Sequence, residues 1–126
     1  MNTTQKFSLG RTAITPDALD ALVEASQKPQ EIYKHLCASE KTSQELQEFY
    51  KSIELLDGAN LIIYCLTRHM LGDWGDVSER DRRENEFSVK NGLRILSAYQ
   101  ITDDVKVWVI TEANRSVTTI LLPDEY

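Results

Sequence analysis

Apolar residues recur at two different periods along this chain, and the change of period divides it. The opening stretch, Phe7 to Ile14, alternates with apolar residues at 7, 9 and 13, which predicts a first strand. Thr15-Pro16-Asp17 follows: a hydroxyl cap, a proline at the first helical position and an acid in the first turn. Together they predict a helix to about Ser26, with Leu19, Leu22 and Val23 on one side. Pro29 opens a second short helix carrying Ile32, Tyr33 and Leu36. Thr42 and Glu45 form a capping-box pattern, and Leu46, Phe49, Tyr50, Ile53 and Leu56 then follow at the three- to four-residue spacing of one helix face. A third helix ends at Asp57-Gly58, a fourth runs from Leu61 to Leu71, and a fifth starts at Ser78 and stops at Gly92.

Beyond Gly92 the period shortens. Arg94 to Ile101, Val105 to Thr111 and Ser116 to Leu122 are rich in Val, Ile, Thr and aromatics. The turn sequences Thr102-Asp103-Asp104 and Glu112-Ala113-Asn114-Arg115 separate them. The pattern predicts an α+β fold: an N-terminal strand, several helices, and a C-terminal three-stranded antiparallel meander forming one sheet with helices on one face. With 126 residues and no repeat or long linker, the chain reads as a single domain spanning 1–126.

Charge narrows the function classes. The net charge is −6 and the pI about 4.9. Phosphate contacts and anionic membranes both call for clustered Lys and Arg, so direct nucleic-acid binding and membrane adsorption are not expected. A basic protein partner is compatible with this charge. The first residues carry no apolar targeting segment, and the longest apolar run, Leu61 to Leu66, is far below the roughly 20 residues of a membrane span. The expected compartment is the cytoplasm. Two cysteines, Cys37 and Cys65, imply no disulfide framework.

Two segments carry more polar specification than folding demands. Arg68-His69-Met70-Leu71-Gly72-Asp73-Trp74-Gly75-Asp76 places a tryptophan between aspartates and glycines just after an apolar helix. It reads either as a binding loop or as a tight connection pinned by Trp74, with Asp76 or Ser78 capping the next helix. The stretch Ile110 to Thr119 puts Glu112, Asn114, Arg115 and several hydroxyls at a hairpin tip. Arg115 there is able to clamp an anion, or simply to pair with Glu112 on the surface.

These two segments also carry a resemblance. Arg68-His69, Gly72 to Asp76, Asn85, Ser97 and Tyr99, Trp108 to Thr119 and the closing Leu122-Pro123-Asp124-Glu125-Tyr126 resemble a widespread, uncharacterised family of small bacterial proteins often carried on plasmids and other mobile elements. Phe7 to Gly10 and Thr15-Pro16 are similar to the family's start. Asn114 stands where the family usually has Asp, and the segment from about 28 to 63 is longer than the family norm. The resemblance implies a shared site but no defined reaction.

Three functional readings follow. The first is a small acidic protein-binding or regulatory module associated with mobile elements, an inhibitor of a nucleic-acid-handling protein being one form. Its contact residues would be Asp73, Trp74, Asp76, Asn85, Glu112, Asn114 and Arg115. The second is a small hydrolase or nucleotide-processing enzyme with His69 as base, Asp73 or Asp76 orienting it, and Arg115 as anion clamp. The third is a homodimer whose polar motif holds its own fold together. No metal or cofactor is expected: His35-x-Cys37 and Cys65-x-x-x-His69 lack zinc-finger spacing, and Asp73, Asp76, Asp81 and Glu84 follow no calcium-loop pattern. No phosphate-binding loop or dinucleotide motif is present.

Overall fold

A computed structural model of the chain describes residues 5–37 and 58–126. Its elements are β1 (Arg11–Ile14), α1 (Pro16–Ala25), α2 (Pro29–Cys37), α3 (Gly58–Met70), α4 (Glu79–Asn91), β2 (Ile95–Gln100), β3 (Lys106–Thr111), β4 (Val117–Leu121) and a terminal 3-10 turn, Pro123–Glu125. The helix expected over 42–56 lies outside the described residues, as does most of the 28–63 segment. None of the described helices is long and apolar enough to cross a membrane.

The helix signals act as the local chemistry requires. Thr15 Oγ1 accepts the Ala18 amide and Pro16 occupies the first turn of α1. Ser78 Oγ accepts the Asp81 amide at the start of α4, and Gly92 closes that helix in the left-handed conformation. Of the two caps anticipated for α4, Ser78 therefore serves and Asp76 does not.

The fold class is α+β, and among the described residues the sheet has four strands in the order β1-β4-β3-β2. β2, β3 and β4 form the antiparallel meander, with Ser97 opposite Val109 and Thr111 opposite Thr118. The expected meander is therefore present, but it is only part of a larger, mixed sheet. β1, shorter than the expected 7–14 stretch, adds to β4 in parallel, so the sheet is mixed. A parallel neighbour needs a crossover, and the helices between β1 and β2 lie within that connection.

One sheet face carries Ile95, Ser97, Tyr99, Val107, Val109, Thr111, Thr118 and Ile120, all inaccessible to solvent. Ala18, Leu22 and Ala25 of α1, Ile32 and Leu36 of α2, and Leu61, Tyr64 and Cys65 of α3 pack with it into the main core. A second cluster joins Phe7, Trp74, Val77, Ile95 and Ala98 beside β2. On the other face the terminal turn folds back, so that the Tyr126 ring meets Trp108 edge-on at 5.6 Å, with the Arg94 guanidinium over Tyr126 at 5.3 Å.

Candidate functional site

The Arg68 to Asp76 segment lies against β2, the outermost strand of the sheet on that side. Arg68, in the last turn of α3, points inward. Its Nε donates to Asp73 Oδ2 at 2.7 Å and its Nη2 to Asp73 Oδ1 at 3.1 Å, a two-point pair in which both side chains are about 5% exposed or less. A third donor reaches Tyr64 Oη at 2.9 Å, and the guanidinium lies 4.4 Å from the Tyr99 ring centre. Tyr99 donates its hydroxyl to the Asp73 carbonyl. Burial pushes the Tyr64 hydroxyl up to about 12 and the Tyr99 hydroxyl well above its ordinary value, partly countered by Arg68, so both remain protonated.

His69, one residue on, faces the sheet. Its two ring nitrogens lie 2.6 Å from Ser97 Oγ and 2.8 Å from Thr111 Oγ1. Thr111 Oγ1 meets Thr118 Oγ1 at 2.7 Å, and Thr118 in turn donates to the Leu9 carbonyl. Thus one hydroxyl from each of three adjacent strands forms a buried polar line under the imidazole. Phe7 and Trp74 pack against the ring at 5.1 and 6.0 Å. Desolvation, with a smaller push from the Arg115 charge, holds the His69 pKa down at about 3, so the ring is neutral at physiological pH.

The loop after α3 then completes the edge of β2. Ala98 donates to the Trp74 carbonyl at 3.0 Å, and the Asp76 amide donates to the Ala98 carbonyl at 2.7 Å. Gly75 pairs with Ala98 in parallel, in effect a one-residue fifth strand. Gly75 has φ +73°, and a Cβ there would collide with the Ala98 carbonyl and the Tyr99 ring, so only glycine fits. Asn85 serves Leu96 in the same way: its Oδ1 accepts the Leu96 amide at 3.1 Å and its Nδ2 donates to the Leu96 carbonyl at 2.7 Å. Trp74 is 4% exposed and donates its indole N–H to Glu86.

The hairpin tip is likewise directed inward. Arg115 adopts a positive φ of 59° and lays its guanidinium on backbone carbonyls: Nη1 on Leu93, Glu112 and Ala113, Nη2 on Ser88. It is a cation on the carbonyl end of α4, where the helix dipole favours one. Asn114 Oδ1 accepts the Ser116 amide and stabilises the turn. A side chain on Gly10 (φ +64°) would strike the backbone of Arg115 and Ser116, which explains a glycine just before β1.

The sequence-derived residues are therefore distributed as follows. Asp73, Trp74 and Asn85 are interior. Asp76 is exposed, with its carboxylate 3.4 Å from Lys106 Nζ. Glu112 and Asn114 are at the surface of the tip. His69 is bonded to Ser97 and Thr111 rather than to Asp73 or Asp76, and Arg115 grips carbonyls rather than an open cleft. Of the suggested zinc ligands, His35 bonds Asp103 Oδ1 at 2.8 Å, and burial pushes the Cys65 thiol up to about 12. Among the described residues no group of three or more His, Cys, Asp or Glu is placed to hold a metal ion.

Sequence reasoning missed a surface feature. Arg80, Arg83, Glu84, Phe87, Ser88 and Leu93 line a groove of about 480 Å³ along the outer side of α4. Phe87 is 59% and Leu93 46% exposed. The signal was available: Phe87 is the only aromatic in the otherwise strongly polar helix Glu79–Asn91. Arg80 pairs with Glu84 at 3.4 Å, whereas Arg83 has no ion-pair partner among the described residues. The two Arg115 contacts to Ser88 and Leu93 fix the groove's base, so the hairpin motif shapes it from behind. No protein-family model, curated protein or solved structure matches this chain.

Proposed function

We propose that the protein is a non-catalytic protein-binding module, of the mobile-element kind that the resemblance implies, and that its contact site is the α4 groove. One observation carries the reading: two large apolar side chains stand exposed beside an arginine without an ion-pair partner among the described residues, on a base held by Arg115. Exposed apolar groups with polar rims are a common mark of contact surfaces. The groove is locally cationic on a molecule of net charge −6. The segment that docks there carries a carboxylate for Arg83 beside an apolar anchor for Phe87 and Leu93. The charge of the whole molecule favours approach by a basic partner, such as a nucleic-acid-handling protein that the module would occlude.

The hydrolase reading has less support. A base must reach its substrate's proton, and both His69 nitrogens already have hydroxyl partners inside the core.

Panning a random peptide display library against the protein tests the proposal. Peptides pairing Asp or Glu with Leu, Phe or Trp should be enriched, and an Arg83→Glu, Phe87→Ser variant of unchanged melting temperature should bind them at least tenfold more weakly. Absence of enrichment, or equal binding to the variant, would overturn it.

A further inference from the structure

The two outer strands of the sheet are treated differently. The outward backbone groups of β2 are met by Asn85, Trp74 and Asp76. β1 has β4 on one side and, among the described residues, no strand on the other. Arg11 and Thr15 donate their amides to Ser116 and Ile120 of the β4 side. Strand alternation therefore turns the amides and carbonyls of Thr12 and Ile14 outward, which is an invitation to pair.

We infer that this edge pairs with β1 of a second copy of the chain, antiparallel about a two-fold axis, to give a continuous eight-stranded sheet. Only one register uses all four outward groups: Thr12 opposite Ile14 of the other copy, and the reverse, with Ala13 opposite Ala13. In that register two residues of smallest side chain meet where the strands approach most closely. The ends then match in charge. Arg11 is exposed and has no ion-pair partner among the described residues, and it comes to lie opposite Thr15 of the other copy. The Thr15 hydroxyl donates to Glu125 Oε1 at 2.8 Å, and the Leu122 amide donates to the same oxygen at 2.8 Å. Glu125 is thereby fixed at the strand end with Oε2 available to the incoming Arg11. A two-fold repeats the pair, so the interface is self-complementary in hydrogen bonds and in charge.

Sedimentation velocity across a concentration series tests this. The wild type should shift with concentration toward twice the 14.4 kDa chain mass. Arg11→Glu should weaken association at least tenfold, and Arg11→Glu with Glu125→Arg should restore it. Thr12→Pro removes an amide that does not face β4, so the chain should stay folded by circular dichroism yet sediment as a monomer. A wild type that remains monomeric throughout would overturn the inference. So would dimerisation that survives both Arg11→Glu and Thr12→Pro, or a double variant that fails to recover.

Discussion

The two edges of this sheet solve the same problem in opposite ways. At β2 the exposed ladder is closed by a loop segment, an asparagine amide and a buried arginine–aspartate pair behind them. At β1, among the described residues, there is no such cover, and the four-residue strand carries polar or small exposed side chains at Arg11, Thr12 and Ala13. Closing an edge with irregular structure needs particular residues at particular places: a glycine where the backbone turns and approaches β2, an amide of the right reach, a charge pair to hold the loop. Leaving an edge open needs almost none. The dense polar motif from Arg68 to Asn85 is thus accounted for by the architecture of one edge, and the sparse sequence of β1 by the other.

Substitutions should separate the edges sharply. The largest effect is expected at the buried pair: Asp73→Ala leaves the Arg68 guanidinium enclosed without its carboxylate, at a cost of about 3–5 kcal/mol in denaturant unfolding. Replacing both with apolar residues of similar size, Arg68→Met with Asp73→Leu, should cost much less than the sum of the single changes. Next is the direct comparison of strand edges. Asn85→Ala leaves the Leu96 amide and carbonyl unpaired and should cost about 1–3 kcal/mol. Thr12→Ala, at the open edge, should change stability by less than about 0.5 kcal/mol.

The smallest, graded effect is the pH dependence set by His69. Its folded pKa lies near 3, below the ordinary value of 6.5, so the unfolded chain binds the proton more readily. The contribution is complete above pH 6.5 and is lost as pH falls toward 3, at about 1.4 kcal/mol per pH unit. The wild type should therefore lose stability between pH 6.5 and 5 more steeply than a His69→Gln variant. Parallel curves for the two proteins would remove His69 from the account.

Much of this was legible from residue order. The helix caps at Thr15 and Ser78, the stop at Gly92 and the three meander strands follow from local chemistry, which acts over three or four residues. What could not be read was pairing across the chain. Nothing local says that β1 lies parallel to β4, because that contact is fixed by the packing of α1 and α3 on the sheet. Trp74 read equally as a contact residue of a binding loop and as a buried pin of the helix connection, because its neighbours are polar. It is interior because Asp73 and Asp76 turn away from it, one inward to Arg68 and one outward to Lys106. Ser97, Thr111 and Thr118 occupy inward strand positions, where Val or Ile is usual, and those hydroxyls were the clue that a polar partner lay opposite. The α4 groove was signalled only by Phe87 and Leu93, an apolar pair that has no obvious meaning until the helix is placed.

Native-state hydrogen exchange, followed residue by residue at low and high protein concentration, bears most directly on the claim that the motif closes one edge and leaves the other open. The Leu96 and Ala98 amides should exchange only on global unfolding, at both concentrations. The Thr12 and Ile14 amides should exchange rapidly in dilute protein and become protected as concentration rises. Rapid exchange at Leu96 and Ala98 would contradict the account, because it would mean that the Asp73 to Asn85 residues do not seal β2.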